Sequence, residues 1–213
     1  MIHLNNYGWN DKLSQLKQES TYNALTHGRI SIVHRTCYEV VSENGLFQCE
    51  LTGNMMYGKS DFELPCTGDW VLFQPFDEHK GIIVDMLPRE RTLYRKKNGT
   101  VSDKQAIASY VDKAFIVQSL DDNFNVRRAE RFMVQMQEEH INPVLVFNKA
   151  DLRFDKQKVE EQIRHIARQI PVFFTSIHQP QTILQLQESI SAGETVVFVG
   201  SSGVGKSSLV NAL

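Results

Sequence analysis

Eight residues near the C-terminal end of this 213-residue chain constrain its fold more than any other feature. Gly200-Ser201-Ser202-Gly203-Val204-Gly205-Lys206-Ser207 fits the pattern G-x-x-x-x-G-K-[ST]. It follows an apolar run at 195–199 and precedes a helix-forming stretch that opens with Ser208 and Leu209, the strand–loop–helix setting the pattern requires. Gly200, Gly203 and Gly205 let the backbone curl so that successive amides point at one anionic oxygen. Lys206 is then positioned to reach the β- and γ-phosphates of a nucleotide, and the Ser207 hydroxyl to coordinate Mg²⁺. Gly200 through Ser208 is thus the expected phosphate-binding stretch.

The residues upstream supply the sheet that such a loop needs. Residues 114–118, 144–147, 172–174 and 196–199 are short apolar runs, as expected of parallel strands covered on both faces. Between them, Ala129, Phe132, Met133 and Met136 fall at helical spacing, as do Val159, Ile163, Ile166 and Ile170, so both sets are expected to pack on the sheet. Pro143 and Pro171 each open a strand, where a missing amide donor costs little.

A phosphate loop alone does not choose a base. Asn148-Lys149-Ala150-Asp151 follows the run at 144–147, and N-K-x-D is the pattern that reads guanine. A carboxylate at Asp151 accepts from the guanine ring N–H and exocyclic amine, a donor pair adenine lacks. Such a site rejects the wrong base strongly, because its buried polar groups would be left unpaired. Lys149 is expected to lay its stem across the base face and Asn148 to tie this loop to the phosphate loop. Thr175-Ser176-Ile177 stands where a second guanine loop would sit, with Ser176 as its candidate contact. In the Ras-type arrangement the phosphate loop comes first; here it comes last, which a circular permutation explains.

The first third of the chain reads differently. Runs at 29–34, 38–42, 46–51, 70–76 and 81–87 alternate or are capped by turn residues, which predicts five strands and a small barrel of the OB type, with an SH3-like barrel as rival. Asn44-Gly45 predicts a two-residue type I′ hairpin, a register that sets Cys49 opposite Val40. The barrel either supports the next domain or binds RNA. The expected division is an N-terminal extension at 1–27, the barrel at 28–91, a linker at 92–102 and an incomplete nucleotide domain of about four parallel strands at 103–213. Around the linker, Arg89, Arg91, Arg95, Lys96 and Lys97 with Tyr94 among them are either solvated or able to grip phosphates and stack a base. A net charge of −2 gives no global pull toward nucleic acid. Cys37, Cys49 and Cys66 lack metal-ligand spacing and are expected to be reduced packing thiols. With no signal-like start and no long apolar run, the chain is expected to be cytoplasmic and without membrane contact.

These features resemble one family, the circularly permuted ribosome-small-subunit-dependent GTPases of the RsgA, YjeQ or EngC type. The resemblance rests on Gly68-Asp69-Trp70-Val71, Ile107-Ala108-Ser109-Tyr110-Val111-Asp112, Asn148 to Asp151, and Gly200 to Ser208 followed by Leu209-Val210-Asn211-Ala212-Leu213. Tyr110 departs from the Asn expected there, without consequence expected for the nucleotide site. The resemblance implies binding of GTP/GDP with Mg²⁺, GTP hydrolysis, and the small ribosomal subunit and its rRNA as partners in late subunit maturation. It also implies a switch threonine, a D-x-x-G segment and a zinc-binding C-terminal domain beyond Leu213. Two alternatives stay open: guanine-nucleotide or rRNA binding without turnover, and a P-loop ATPase or kinase. A monomer is expected, one prone to association if the phosphate-loop strand lies at a bare edge.

Overall fold

The computed structural model describes residues 1–57, 59–96, 104–121 and 124–213, and the chain folds as two units, Met1–Val111 and Asp112–Leu213. In the first, β1 (Thr26–Val33), β2 (Tyr38–Ser42), β3 (Gly45–Leu51), β4 (Trp70–Asp77) and β5 (Lys80–Met86) close into a barrel in the order β1-β2-β3-β5-β4. β3 pairs parallel with β5 while the other pairs are antiparallel, which makes this the OB arrangement and disposes of the SH3-like rival. Alternation puts Phe47 and Cys49 of β3 inside with Ile30, Val40, Val71, Phe73 and Ile83, and turns Gln48 and Glu50 outward. A short helix α1 (Asp11–Glu19), capped by the Asn10 side chain on the Leu13 amide, sets Leu13 beside Leu4, Trp70 and Leu72. The one-turn α2 (Gly53–Met56) adds Met55 to the barrel interior. Burial pushes the thiols of Cys49 and Cys66 up to about 12, so both are inert packing groups.

Two local expectations are corrected here. Ser42 pairs with Gly45, so Glu43 and Asn44 form the hairpin turn and the positive φ of 126° falls on Gly45, after it. The turn moves by one residue and the cross-strand pairing by two: Cys49 lies opposite Tyr38 instead of Val40, and Val40 lies opposite Phe47. Second, part of the expected linker is ordered. β6 (Leu93–Lys96) pairs antiparallel with β7 (Lys104–Ala108), and both fall within the first unit. Tyr94 is buried there, with the Lys104 ammonium 3.9 Å over its ring, so it is not free to stack a base. Arg95 bonds Gln105 at 3.0 Å; Lys97 and the Lys96 side chain lie outside the described residues. Tyr110 has φ of 54°, a conformation Asn tolerates better than other side chains, which accounts for the Asn expected there; its hydroxyl donates to the Pro88 carbonyl at 2.6 Å.

The fully buried Asp69 organises the segment before β4. Its carboxylate takes Arg89 Nε at 2.9 Å and Nη2 at 2.6 Å and the Cys66 amide at 2.7 Å, while Arg89 also donates to the carbonyls of Phe62 and Leu64. Removing one member of such a pair strands a buried charge, the costly way to break it. Asp69→Ala is therefore expected to lower the unfolding free energy by about 3 kcal/mol, followed by Trp70 fluorescence in urea. A change below about 1 kcal/mol would match a surface pair instead.

In the second unit, β8 (Lys113–Ser119), β9 (Asn142–Asn148), β10 (Val172–Phe174) and β11 (Val196–Val199) form a parallel sheet in the order β10-β9-β8-β11. α3 (Val126–Glu138) and α4 (Lys156–Ala167) cover one face through Ala129, Met133, Val159, Ile163 and Ile166 against Ile116, Leu145 and Phe147. α5 (Pro180–Glu188) and α6 (Lys206–Ala212) cover the other through Ile183, Leu186 and Leu209 against Phe115, Val117, Val144 and Val146. Two-sided burial is why these strands read as continuous apolar runs.

Candidate functional site

The loops that carry the expected site residues all leave the carboxyl ends of parallel strands, where ligands of open α/β sheets bind. Gly200 to Gly205 link β11 to α6, and Asn148 ends β9 with Lys149 to Asp151 following it. Positive φ values at Gly200, Gly203 and Gly205 (145°, 81° and 92°) give the loop its curl. Val204 is fully buried with Leu209, which fixes the loop from beneath and leaves Ser202, Gly203, Ser207 and Ser208 exposed. Its carbonyl accepts from Asn148 Nδ2 at 2.9 Å, so the two loops are tied as expected. A Cβ on Gly205 would stand 2.2 Å from that same nitrogen. Lys206 Nζ donates to the carbonyls of Gly200 at 3.0 Å and Ser201 at 2.7 Å, inside the loop's own turn.

The side expected to read the base is equally well connected. The Ala150 amide donates to the Thr175 carbonyl at 3.0 Å, and the Thr175 amide to Phe147 at 2.7 Å. Asp151 is exposed, with its carboxylate 2.5 Å from the hydroxyl of buried Ser176. That hydroxyl holds the carboxyl below the usual aspartate value, so Asp151 stays ionised at lower pH than an ordinary aspartate. Ser176 thus enters the site through its side chain; its amide already donates to Thr182 Oγ1 at 3.0 Å. Lys149 adopts φ of 62°, and its ammonium meets Asp121 at 2.7 Å.

Three contributors carry no sequence signal. Asp121, Arg128 and Thr182 act through partners distant in the chain or through a turn: Arg128 donates to Ser201 Oγ at 2.5 Å across 73 residues, and Asp121 reaches Lys149 across 28. Among the described residues, no group of three or more His, Cys, Asp or Glu side chains could hold a metal ion, and no helix is long and apolar enough to cross a membrane.

A parallel sheet with a G-x-x-x-x-G-K-S loop on its last strand and an N-K-x-D loop on an earlier one is the fold of the circularly permuted P-loop GTPases. A family model described as RsgA GTPase matches residues 86–213, and the chain belongs to that family. Small ribosomal subunit biogenesis GTPase RsgA 1 of Bacteroides thetaiotaomicron is 72% identical over 211 residues, covering 99% of this chain and 59% of the relative. The RsgA protein of Methanosarcina acetivorans is 35% identical over 217 residues, covering 99% and 57%. Among solved structures, YjeQ from Thermotoga maritima aligns with a TM-score of 0.68 at 27% identity, over 88% of this chain and 64% of that one. YloQ, described as a circularly permuted GTPase, gives 0.63 at 26% identity, over 91% and 66%. The chain therefore spans about three fifths of the curated relatives it matches.

Gly205→Ala forces a Cβ into Asn148 and a side chain into left-handed backbone, and is expected to weaken nucleotide binding by roughly tenfold or more. Titration with a fluorescent guanine nucleotide measures it; unchanged affinity would free the Asn148 tie from any role. Ser176→Ala is expected to raise the titration midpoint of Asp151 toward the ordinary aspartate value, read by carboxyl NMR. A midpoint that stays put would assign the depression to something other than the hydroxyl.

Proposed function

We propose that this chain binds GTP and GDP, with Asp151 reading the base and Gly200 to Ser208 holding the phosphates. The observation that carries the reading is the Asn148–Val204 tie, which fixes a base-reading loop and a phosphate loop as one site. Lys149 supplies its stem to one face of the base. Asn148 keeps the two loops in register, and Ala150 braces the reading loop on Thr175. The Thr175-Ser176-Ile177 loop is the second guanine loop in this reading, with Ser176 as its contact through the hydroxyl that holds Asp151.

On the phosphate side, the amides of Ser201, Ser202, Gly203, Val204 and Gly205 line the loop. Lys206 exchanges its two carbonyl acceptors for β- and γ-phosphate oxygens. The exposed hydroxyl of Ser207 fits a Mg²⁺ ligand, being a hard oxygen at the loop exit, and Mg²⁺ when bound neutralises phosphate charge. Lys206 and Ser207 are accordingly the residues through which this chain contributes to GTP hydrolysis.

The relatives' names support placing the whole protein in small-subunit biogenesis as a GTPase; our reading adds that it acts late in maturation, on the ribosomal subunit and its rRNA, in the cytoplasm. The OB barrel is the RNA-facing module in that reading. A second reading for the chain itself is nucleotide binding without turnover, since hydrolysis needs groups that position water and stabilise charge as well as a phosphate loop. Single-turnover hydrolysis with and without small subunits separates the two.

Asp151→Asn tests the base assignment. An amide presents a donor where the carboxylate accepted, so guanine affinity should fall and xanthine affinity rise, each by an order of magnitude or more. GDP affinity unaffected by the substitution would remove Asp151 from the site.

A further inference from the structure

We propose that Asp121 is a positioning residue for guanine recognition: it anchors the Lys149 ammonium so that the lysine stem stands as a fixed wall of the base slot. The inference rests on the guanine-site reading above. Asp121 lies just past the end of β8, outside every motif visible in the sequence.

Its two carboxylate oxygens do different work. Oδ1 accepts from the hydroxyl of Ser119, a fully buried residue at the end of β8, at 2.6 Å. Oδ2 takes the Lys149 ammonium at 2.7 Å. The carboxylate is thereby held from the sheet and in turn holds the lysine. The same two segments are joined by backbone, since the Leu120 amide donates to the Asn148 carbonyl at 3.0 Å. Lys149 itself leaves the chain from left-handed backbone.

A lysine side chain has four rotatable carbons and loses rotamer entropy when it is ordered. If a base must order it on binding, that cost is taken from affinity; if the ammonium is already anchored at its far end, the methylenes stand ready against a ring face. Contact with an apolar ring needs the stem, not the charge, so Asp121 and the base can engage Lys149 together. Both side chains of the pair are about a quarter to a third exposed (26% and 34%), so the effect is that of a partly screened pair.

The test is a double-mutant cycle on nucleotide affinity with the full chain. Asp121→Ala is expected to weaken GDP and GTP equally, by about threefold, since the base is common to both. Lys149→Met keeps an unbranched stem and removes the charge; in that background Asp121→Ala should change affinity by less than about 1.5-fold. Asp121→Asn, which retains an oxygen for Ser119, should reproduce the loss and serves if the alanine variant does not fold. Equal losses in both backgrounds would assign Asp121 to its own loop and overturn the proposal, as would tighter or unchanged binding in the parent. A parent chain that binds no GDP would overturn the guanine reading and this role together, whereas GDP binding without coupling overturns only the role of Asp121.

Discussion

One hydrogen bond holds the two halves of the site in register. Asn148 Nδ2 reaches the Val204 carbonyl at 2.9 Å across 56 residues of sequence, and Asn148 is only 4% exposed. A buried amide costs free energy unless it is paired, so this contact is demanded by burial as much as rewarded by the bond. Its acceptor is aimed by apolar packing: Val204 is buried with Leu209, Ile183 and Leu186 beneath the sheet. The hydrophobic core of this unit therefore sets where the polar tie can form. Gly205 completes the arrangement by having no side chain where Asn148 must pass.

Among the described residues, several charged groups around that tie have partners within the protein. Lys206 rests on two loop carbonyls, Lys149 on Asp121, and Asp151 on Ser176. Ser201 is gripped twice, through its carbonyl by Lys206 and through its hydroxyl by Arg128. On the proposed reading, a ligand would exchange existing contacts, and net affinity would come from the difference between two sets of bonds. Carbonyl acceptors are weaker partners for an ammonium than phosphate oxygens, so the proposed exchange at Lys206 would favour the ligand.

What the sequence revealed and what it hid divide by range. The phosphate loop, the N-K-x-D tetrapeptide and the four parallel strands are local patterns, and each lies within a residue or two of its expected place. The barrel strands were legible too, because inward Phe47 and Cys49 alternate with outward Gln48 and Glu50. The hairpin turn lies one residue earlier than expected, which shifts the pairing by two, because Gly45 supplies its positive φ after the turn instead of within it, and composition does not separate those cases. β6 was hidden because Leu93 and Tyr94 are too few to show a period and find their partners only in β7. The Asp69–Arg89 pair, Asp121 and Arg128 were illegible for one reason: each acts through a residue 20 to 73 positions away.

The inverted order of the motifs is compatible with an intact site because the site depends on which strands are neighbours, not on which comes first. β8 is paired to β9 on one side and β11 on the other, so the loops after β9 and β11 meet across its end. Gly200 shows how close that meeting is: a Cβ there would stand 2.4 Å from the Val117 carbonyl of β8. The phosphate loop thus leans on β8 and reaches Asn148 beyond it, although its own strand has four residues and lies at the edge of the sheet. An edge strand has one ladder of backbone bonds instead of two, and its geometry is correspondingly less fixed. The Gly200 approach and the Asn148 tie both act on the loop itself, supplying from β8 and β9 the constraint that a second neighbour of β11 would otherwise provide.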